Sequence, residues 1–234
     1  MHYLELILIG IILLYPLVDY INEKYKSKNK SIEYIKISSL LWIITFFLAY
    51  IYFIEELSVV NLDYVVEINW QNILAITLIL IAVTYLVLLI KNIILNEKLR
   101  LEVVSKFEPF IDIMPVTKKQ VLVFTLLLSV TAGICEELIF RAYLFNLIDA
   151  HTGTIGAILL SSLIFGIWHV YLGWQEVLRT SIMGGILCGV YIFSGNIIIP
   201  IILHIFIDIY SGLICYFAVR KPEINEEINR HPNC

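Results

Sequence analysis

Six ionisable residues stand inside apolar stretches of the chain: Glu136, Glu137, Arg141, His169, His204 and Asp208. Carboxylates and imidazoles are the side chains best suited to moving protons near neutrality, and an arginine supplies fixed positive charge. In Glu136-Glu137-Leu-Ile-Phe-Arg141, Glu137 and Arg141 are four residues apart, so on a helix they share a face and can pair. Glu136 lies about 100° away around the helix and has no local partner. The two adjacent carboxylates therefore take different jobs. Glu137 is a charge-compensated structural group, and Glu136 is a free carboxylate suited to general-base work. A pair of glutamates at a water-facing helix end fits poorly, because residues 122–134 before them and 142–148 after them are almost wholly apolar.

His169 closes the run Phe165-Gly-Ile-Trp-His169. A lone histidine in an apolar helix is more often a hydrogen-bonded core residue than a catalyst, and Trp168 beside it reads as packing. His204-Ile-Phe-Ile-Asp208 is a stronger signal, because its spacing puts an imidazole and a carboxylate on one helix face. The plainer alternative is a His–Asp pair tying two helices together. Pro200, four residues before His204, lacks a backbone N–H and is expected to open the backbone beside the site. Two carboxylates, two histidines, an arginine and an aspartate suit amide hydrolysis, which needs a base, a water and donors for an oxyanion. No GxSxG or HExxH motif is present. Glu136, His169 and His204 would also make a three-ligand zinc set, and the sequence leaves metal and metal-free use of these residues open.

The elements that must position these groups follow from composition. Of 234 residues, 60% are hydrophobic and 15% charged, against about 25% charged in a soluble domain. Mean hydropathy is +0.88. These values exclude a soluble globular enzyme, a disordered regulator and a basic nucleic-acid binder. The expected fold is all-α, a polytopic transmembrane helix bundle of about seven spans, at residues 3–19, 36–54, 70–93, 120–147, 154–173, 177–194 and 197–219. The first apolar run has no basic leader or cleavage site and reads as a retained span. Lysines fill the first loop (Lys24, Lys26, Lys28, Lys30) and the third (Lys91, Lys98, Lys106, Lys118, Lys119), while the second carries only acids. This alternation predicts an outside N-terminus and a cytoplasmic C-terminus in a multi-pass protein of the cell (plasma) membrane. In the third loop Leu99, Leu101, Val103, Val104, Phe107, Phe110 and Ile111 alternate with charges, as in an amphipathic helix lying on the membrane surface.

A division falls in that loop. Residues 1–115 form N-terminal spans plus the amphipathic segment, 116–220 hold the ionisable helices, and 221–234 form a polar tail. Cys135, Cys188, Cys215 and Cys234 make no CxxC pair and read as small buried hydrophobes. Ser181, Gly185 and Gly189, with Ser162 and Gly166 on the preceding span, follow the small-xxx-small pattern of close helix contact.

At these residues the chain resembles the CPBP family, also called Abi or type II CAAX prenyl endopeptidases, which are intramembrane proteases. The family pattern of EExxxR, FxxxH and HxxxN or HxxxD reads here as Glu136-Glu137-x-x-x-Arg141, Phe165-x-x-x-His169 and His204-x-x-x-Asp208. The resemblance covers residues 120–215. It implies that Glu136 with His169 activates water, that His204 with the residue at 208 stabilises the oxyanion, and that Glu137 and Arg141 support the site. Many members have Asn at the last position. Ionised Asp208 cannot donate a hydrogen bond, so it must be protonated or must orient His204. The residue after the motif arginine is often Gly in the family and is Ala142 here. The family is commonly labelled as metalloproteases.

The expected activity is endoproteolysis of a membrane-associated peptide or protein, prenylated or bacteriocin-like, with membrane lipid as the other partner and no nucleic acid. A non-enzymatic bacteriocin immunity or binding protein is the alternative, and a transporter with a buried proton relay is a third. The spans as drawn place His169 near the cytoplasmic end of its helix, out of level with Glu136 and His204. Catalysis by all three predicts that the 147–158 connection is re-entrant or dips into the bundle, or that the boundary of one span is misplaced.

Overall fold

The computed structural model describes residues 3–55, 57 and 59–220. The tail 221–234, with Cys234, lies outside the described residues. Among those described, every regular element is helical. Three long helices come first: α1 at Tyr3–Lys24, α2 at Lys30–Glu55 and α3 at Trp70–Leu95. A shorter α4 follows at Glu97–Phe107. From Lys118 to Ile167 the chain is one helical run with a single break. It comprises α5 (Lys118–Val123), a π-helical turn at Phe124–Leu128, α6 (Ser129–Glu137), a second π stretch at Leu138–Phe145 and α7 (Asn146–Ile167). Two helices close the bundle, α8 at Trp174–Ser194 and α9 at Ile198–Val219. Among the described residues six segments are long and apolar enough to cross a membrane, and apolar side chains such as Leu80, Ile81, Leu126 and Ile155 are exposed along them. The chain is an integral multi-pass membrane protein built as an all-α bundle.

The break is at Gly153, whose φ of 76° and ψ of 168° no helix can hold. It divides 118–167 into the two arms expected at 120–147 and 154–173, and thus accounts for the expected seven spans. It also corrects the expected 147–158 connection, which does not dip into the bundle: the helix continues unbroken to residue 152 and reverses at one glycine. Glu136 is 17 residues before Gly153 and His169 is 16 after it, so the two arms carry them to one level. Rings that meet across this hairpin have the same symmetry: Phe140 lies edge-on to Phe165 with centroids 5.0 Å apart.

The second arm also ends sooner than expected. α7 stops at Ile167, His169 sits in the turn beyond it, and residues 170–172 make one 3₁₀ turn before Gly173, at φ 100°, redirects the chain into α8.

Close helix contact runs through Gly166, Ser162 and Ser181 as expected, but on α8 through Gly184 in place of Gly185 and Gly189. At Gly166 a β-carbon would collide with Ser181 Oγ, and at Gly184 it would press on Ser162 and Phe165. Gly189 faces open space and Gly185 only grazes Ser162. The packing stripe on α8 thus runs through Ser181 and Gly184, a spacing of three. Pro200 lies in the first turn of α9, where a backbone N–H has no intrahelical partner to lose. It opens no gap beside His204.

The helix expected in the third loop is present as α4. Its Leu99, Val103, Val104 and Phe107 pack on Ile214 and Ala218 of α9 and on Leu86 and Ile93 of α3. The apolar face is thus covered by protein, while Leu101 remains exposed. Cys135, Cys188 and Cys215 are buried and free.

Candidate active site

Helix α6 places Glu136 and Glu137 at its last two positions, immediately before the π stretch that carries Arg141. Short π segments widen a helix and are frequent at functional sites. Here the wider turn retains the i, i+4 pair: Arg141 Nη1 lies 2.7 Å from Glu137 Oε1, with both side chains out of contact with solvent. Arg141 Nη2 also donates to the carbonyl of Gly184 at 3.1 Å, and the guanidinium stands 4.6 Å from the centre of the Phe165 ring. One arginine therefore ties the first arm of the hairpin to the second and to α8.

The same Glu137 oxygen has a second partner. His204 Nδ1 lies 2.7 Å from Oε1 of Glu137. This fixes the imidazole so that Nε2 turns toward Glu136, 3.9 Å from its Oε2. The approach of α9 to α6 that permits this depends on Gly133, one turn before Glu137. A β-carbon there would strike Ile205 Cγ1 and would lie 3.0 Å from the Ile205 backbone nitrogen. His169 is anchored differently, with Nδ1 3.1 Å from the Phe165 carbonyl oxygen. That leaves its Nε2 for the cavity.

Glu136, His169, His204 and Asp208 line a cavity of about 240 Å³. Apolar side chains line it too, from Leu40 and Leu41 of α2, Phe124, Leu128 and Ala132. So do the charged groups of Asp19, Lys26, Lys30 and Glu33. All six residues singled out in the sequence converge, four on the cavity and two, Glu137 and Arg141, behind it. Among the described residues no hydrogen bond joins Asp208 to His204, whose Nδ1 is engaged by Glu137. The carboxylate of Asp208 lines the cavity instead. Trp168 is packing, as expected: its Nε1 donates to the Ile12 carbonyl at 2.9 Å and its ring stacks on Tyr15 at 4.0 Å.

Among the described residues no three His, Cys, Asp or Glu side chains are gathered to hold a metal ion. His169 and His204 each engage Nδ1 and leave Nε2 available, as metal-ligating imidazoles do.

Sequence reasoning missed the contribution of the N-terminal helices. Asp19 and Asn22 of α1 and Tyr34 of α2 line the cavity. Asp19 had a readable signal, as a lone acid near the end of an apolar span. Tyr171 also lines the cavity. Nothing in the sequence marked it, since a residue two past a histidine shares no face with it in a helix. Glu5, buried in α1, accepts from the Tyr143 hydroxyl at 3.4 Å and was equally unanticipated.

Residues 118–210 match the family model described as type II CAAX prenyl endopeptidase, Rce1-like. No curated protein matches the chain, and no solved structure does. The matched stretch contains all three motifs and every one of the six converging residues, and it supports the resemblance of this part of the chain to the CPBP family of intramembrane proteases.

Proposed function

We propose that this protein is an endopeptidase of the cell membrane that hydrolyses a peptide bond in a membrane-associated, lipid-modified peptide. The observation that carries the reading is the relation of Glu136 to His204: a carboxylate 3.9 Å from an imidazole nitrogen, inside a cavity that Leu40, Leu41, Phe124, Leu128 and Ala132 also line. A water between Glu136 and His169 gives a proton to Glu136, and its oxygen attacks the carbonyl carbon of the substrate. With Nδ1–H donated to Glu137, a protonated His204 presents Nε2–H to the oxyanion that forms. The C–N bond then breaks as Glu136 passes its proton to the departing amine, so the base becomes the acid and no net charge is stranded. Glu137 and Arg141 position His204 and do not touch substrate. Every step in this scheme runs through side chains of the chain itself. The apolar lining at Leu40 and Phe124 suits a hydrocarbon chain on the substrate.

The test is comparison of peptide termini in membranes from cells expressing wild type or Glu136→Gln. New termini that appear only with wild type support the reading and identify the substrate. Identical termini, with an immunity phenotype retained by the variant, replace it with the binding-protein reading.

A further inference from the structure

A second cavity, of about 720 Å³, adjoins the first. Its far side is polar, with Lys106 on α4 and Gln175, Glu176 and Arg179 on α8. The two cavities share five lining residues: Glu23, Lys26, Asp112, Ile113 and Tyr171. Glu23 sits at the C-terminal end of α1, Lys26 just beyond it, and Asp112 and Ile113 in the segment before α5. Tyr171 alone belongs to the turn that also carries His169.

That turn is held firmly. The backbone of His169 donates to Gly166 O at 2.9 Å, Leu172 donates to His169 O at 3.0 Å and Gly173 donates to Val170 O at 2.9 Å. The ring of Tyr171 lies 6.4 Å from that of His169 and only 24° from parallel to it. The phenol has no hydrogen-bond partner among the described residues, although other polar groups that line the cavity are engaged. Lys30 Nζ donates to Met114 O at 2.9 Å, and the Tyr34 hydroxyl donates to Ile113 O at 2.6 Å. Burial, and then the carboxylates of Asp19 and Glu136, push the Tyr171 phenol well above its ordinary pKa, so it remains a donor. The groups it faces across the inner cavity, Glu136 and Asp208, are acceptors when ionised. A peptide backbone, by contrast, brings one carbonyl acceptor per residue.

We propose that the outer cavity holds the polar flank of the peptide substrate and that Tyr171, at the throat between the two cavities, donates a hydrogen bond to a substrate backbone carbonyl beside the bond that is cut. This rests on the protease reading. The mixed charges of Lys106, Glu176 and Arg179 suit a polar peptide of either sign, while the apolar inner cavity takes its lipid-bearing part.

The experiment uses the full chain in nanodiscs, with an S-prenylated, internally quenched peptide as probe. Wild type, Tyr171→Phe and Glu136→Gln are compared by steady-state kinetics, and by thermal unfolding to establish that each is folded. Losing one such hydrogen bond from ground and transition states alike is expected to raise KM about three- to ten-fold and leave kcat unchanged. Equal KM for wild type and Tyr171→Phe overturns the proposal. So does a loss confined to kcat, which would place the phenol on the reacting atoms. Turnover by wild type but not by Glu136→Gln shows that the protease reading stands in either case. Absence of turnover by wild type removes that reading, and the inference with it. As a second measure, Glu136→Gln is expected to bind the probe about three- to ten-fold more tightly than Glu136→Gln with Tyr171→Phe; equal affinities overturn the proposal.

Discussion

Glu137 Oε1 is 2.7 Å from His204 Nδ1 and also 2.7 Å from Arg141 Nη1. One oxygen thus joins a fixed positive charge to the imidazole on which the proposed chemistry depends. The pairing is buried, with 0% exposure of the Glu137 side chain and 1% of that of Arg141. Removing one partner of a buried pair leaves an uncompensated charge, at a cost of about 3–5 kcal/mol. Arg141→Ala is therefore expected to lower thermal stability or yield sharply, as read by unfolding in nanodiscs. Arg141→Lys should rescue little, because an ammonium cannot reach Glu137 and the Gly184 carbonyl in one plane while lying over Phe165. Wild-type stability in Arg141→Ala would refute the structural role of the pair. Because both partners act as one unit, Glu137→Ala combined with Arg141→Ala should cost less than the sum of the single changes.

Glu136 is expected to behave in the opposite way. Its nearest charged partner is His204 Nε2 at 3.9 Å, beyond hydrogen-bond range. Glu136→Gln keeps the shape and removes the base, so folding should persist while cleavage falls by about 10²–10⁴-fold. Retained cleavage in a folded Glu136→Gln protein would remove Glu136 as the base.

The segment before α5 makes a separate prediction. Lys30 and Tyr34 of α2 hold the carbonyls of Ile111, Met114 and Ile113, and so fix the residues that separate the two cavities. Tyr34→Phe should cost about 1 kcal/mol and speed amide exchange at residues 111–116, with the rest of α2 unchanged. Unaltered exchange there would show that the tyrosine does not hold the segment.

Much of this site is legible in the sequence because its residues lie on helices, where spacing encodes faces. Glu137–Arg141 pairs as its i, i+4 spacing dictates, and Glu136 is left without a partner on its own helix for the same reason. What could not be read depends on contacts between helices far apart in sequence. His204 is oriented by Glu137, 67 residues away, rather than by Asp208 on its own face. The level of His169 depended on where the hairpin turned, and Gly153 carries no signal that distinguishes it from Gly156 three residues later. Pro200 misled because its effect depends on position within the helix. In the first turn of α9 the missing N–H has no consequence.

Gly133 shows how much of the proposed chemistry rests on a residue with no side chain. It sits three residues before Glu136, where α6 meets the backbone of α9 beside His204. A β-carbon there would strike Ile205 Cγ1 and would come within 3.3 Å of the Ile201 carbonyl oxygen. The flexible end of Ile205 can turn aside, but the backbone can relieve its contact only if α9 moves. Overpacking of this kind costs about 1–3 kcal/mol, so Gly133→Ala should unfold earlier than wild type. It should also lose activity out of proportion to that loss, because any retreat of α9 lengthens the bond from His204 to Glu137 and widens its distance from Glu136. Gly156→Ala, whose β-carbon would meet only the side chain of Thr152, is the comparison. It should retain wild-type activity per folded molecule. Equal activity per folded molecule in the two variants would show that the approach of α9 to α6 does not set the geometry of His204.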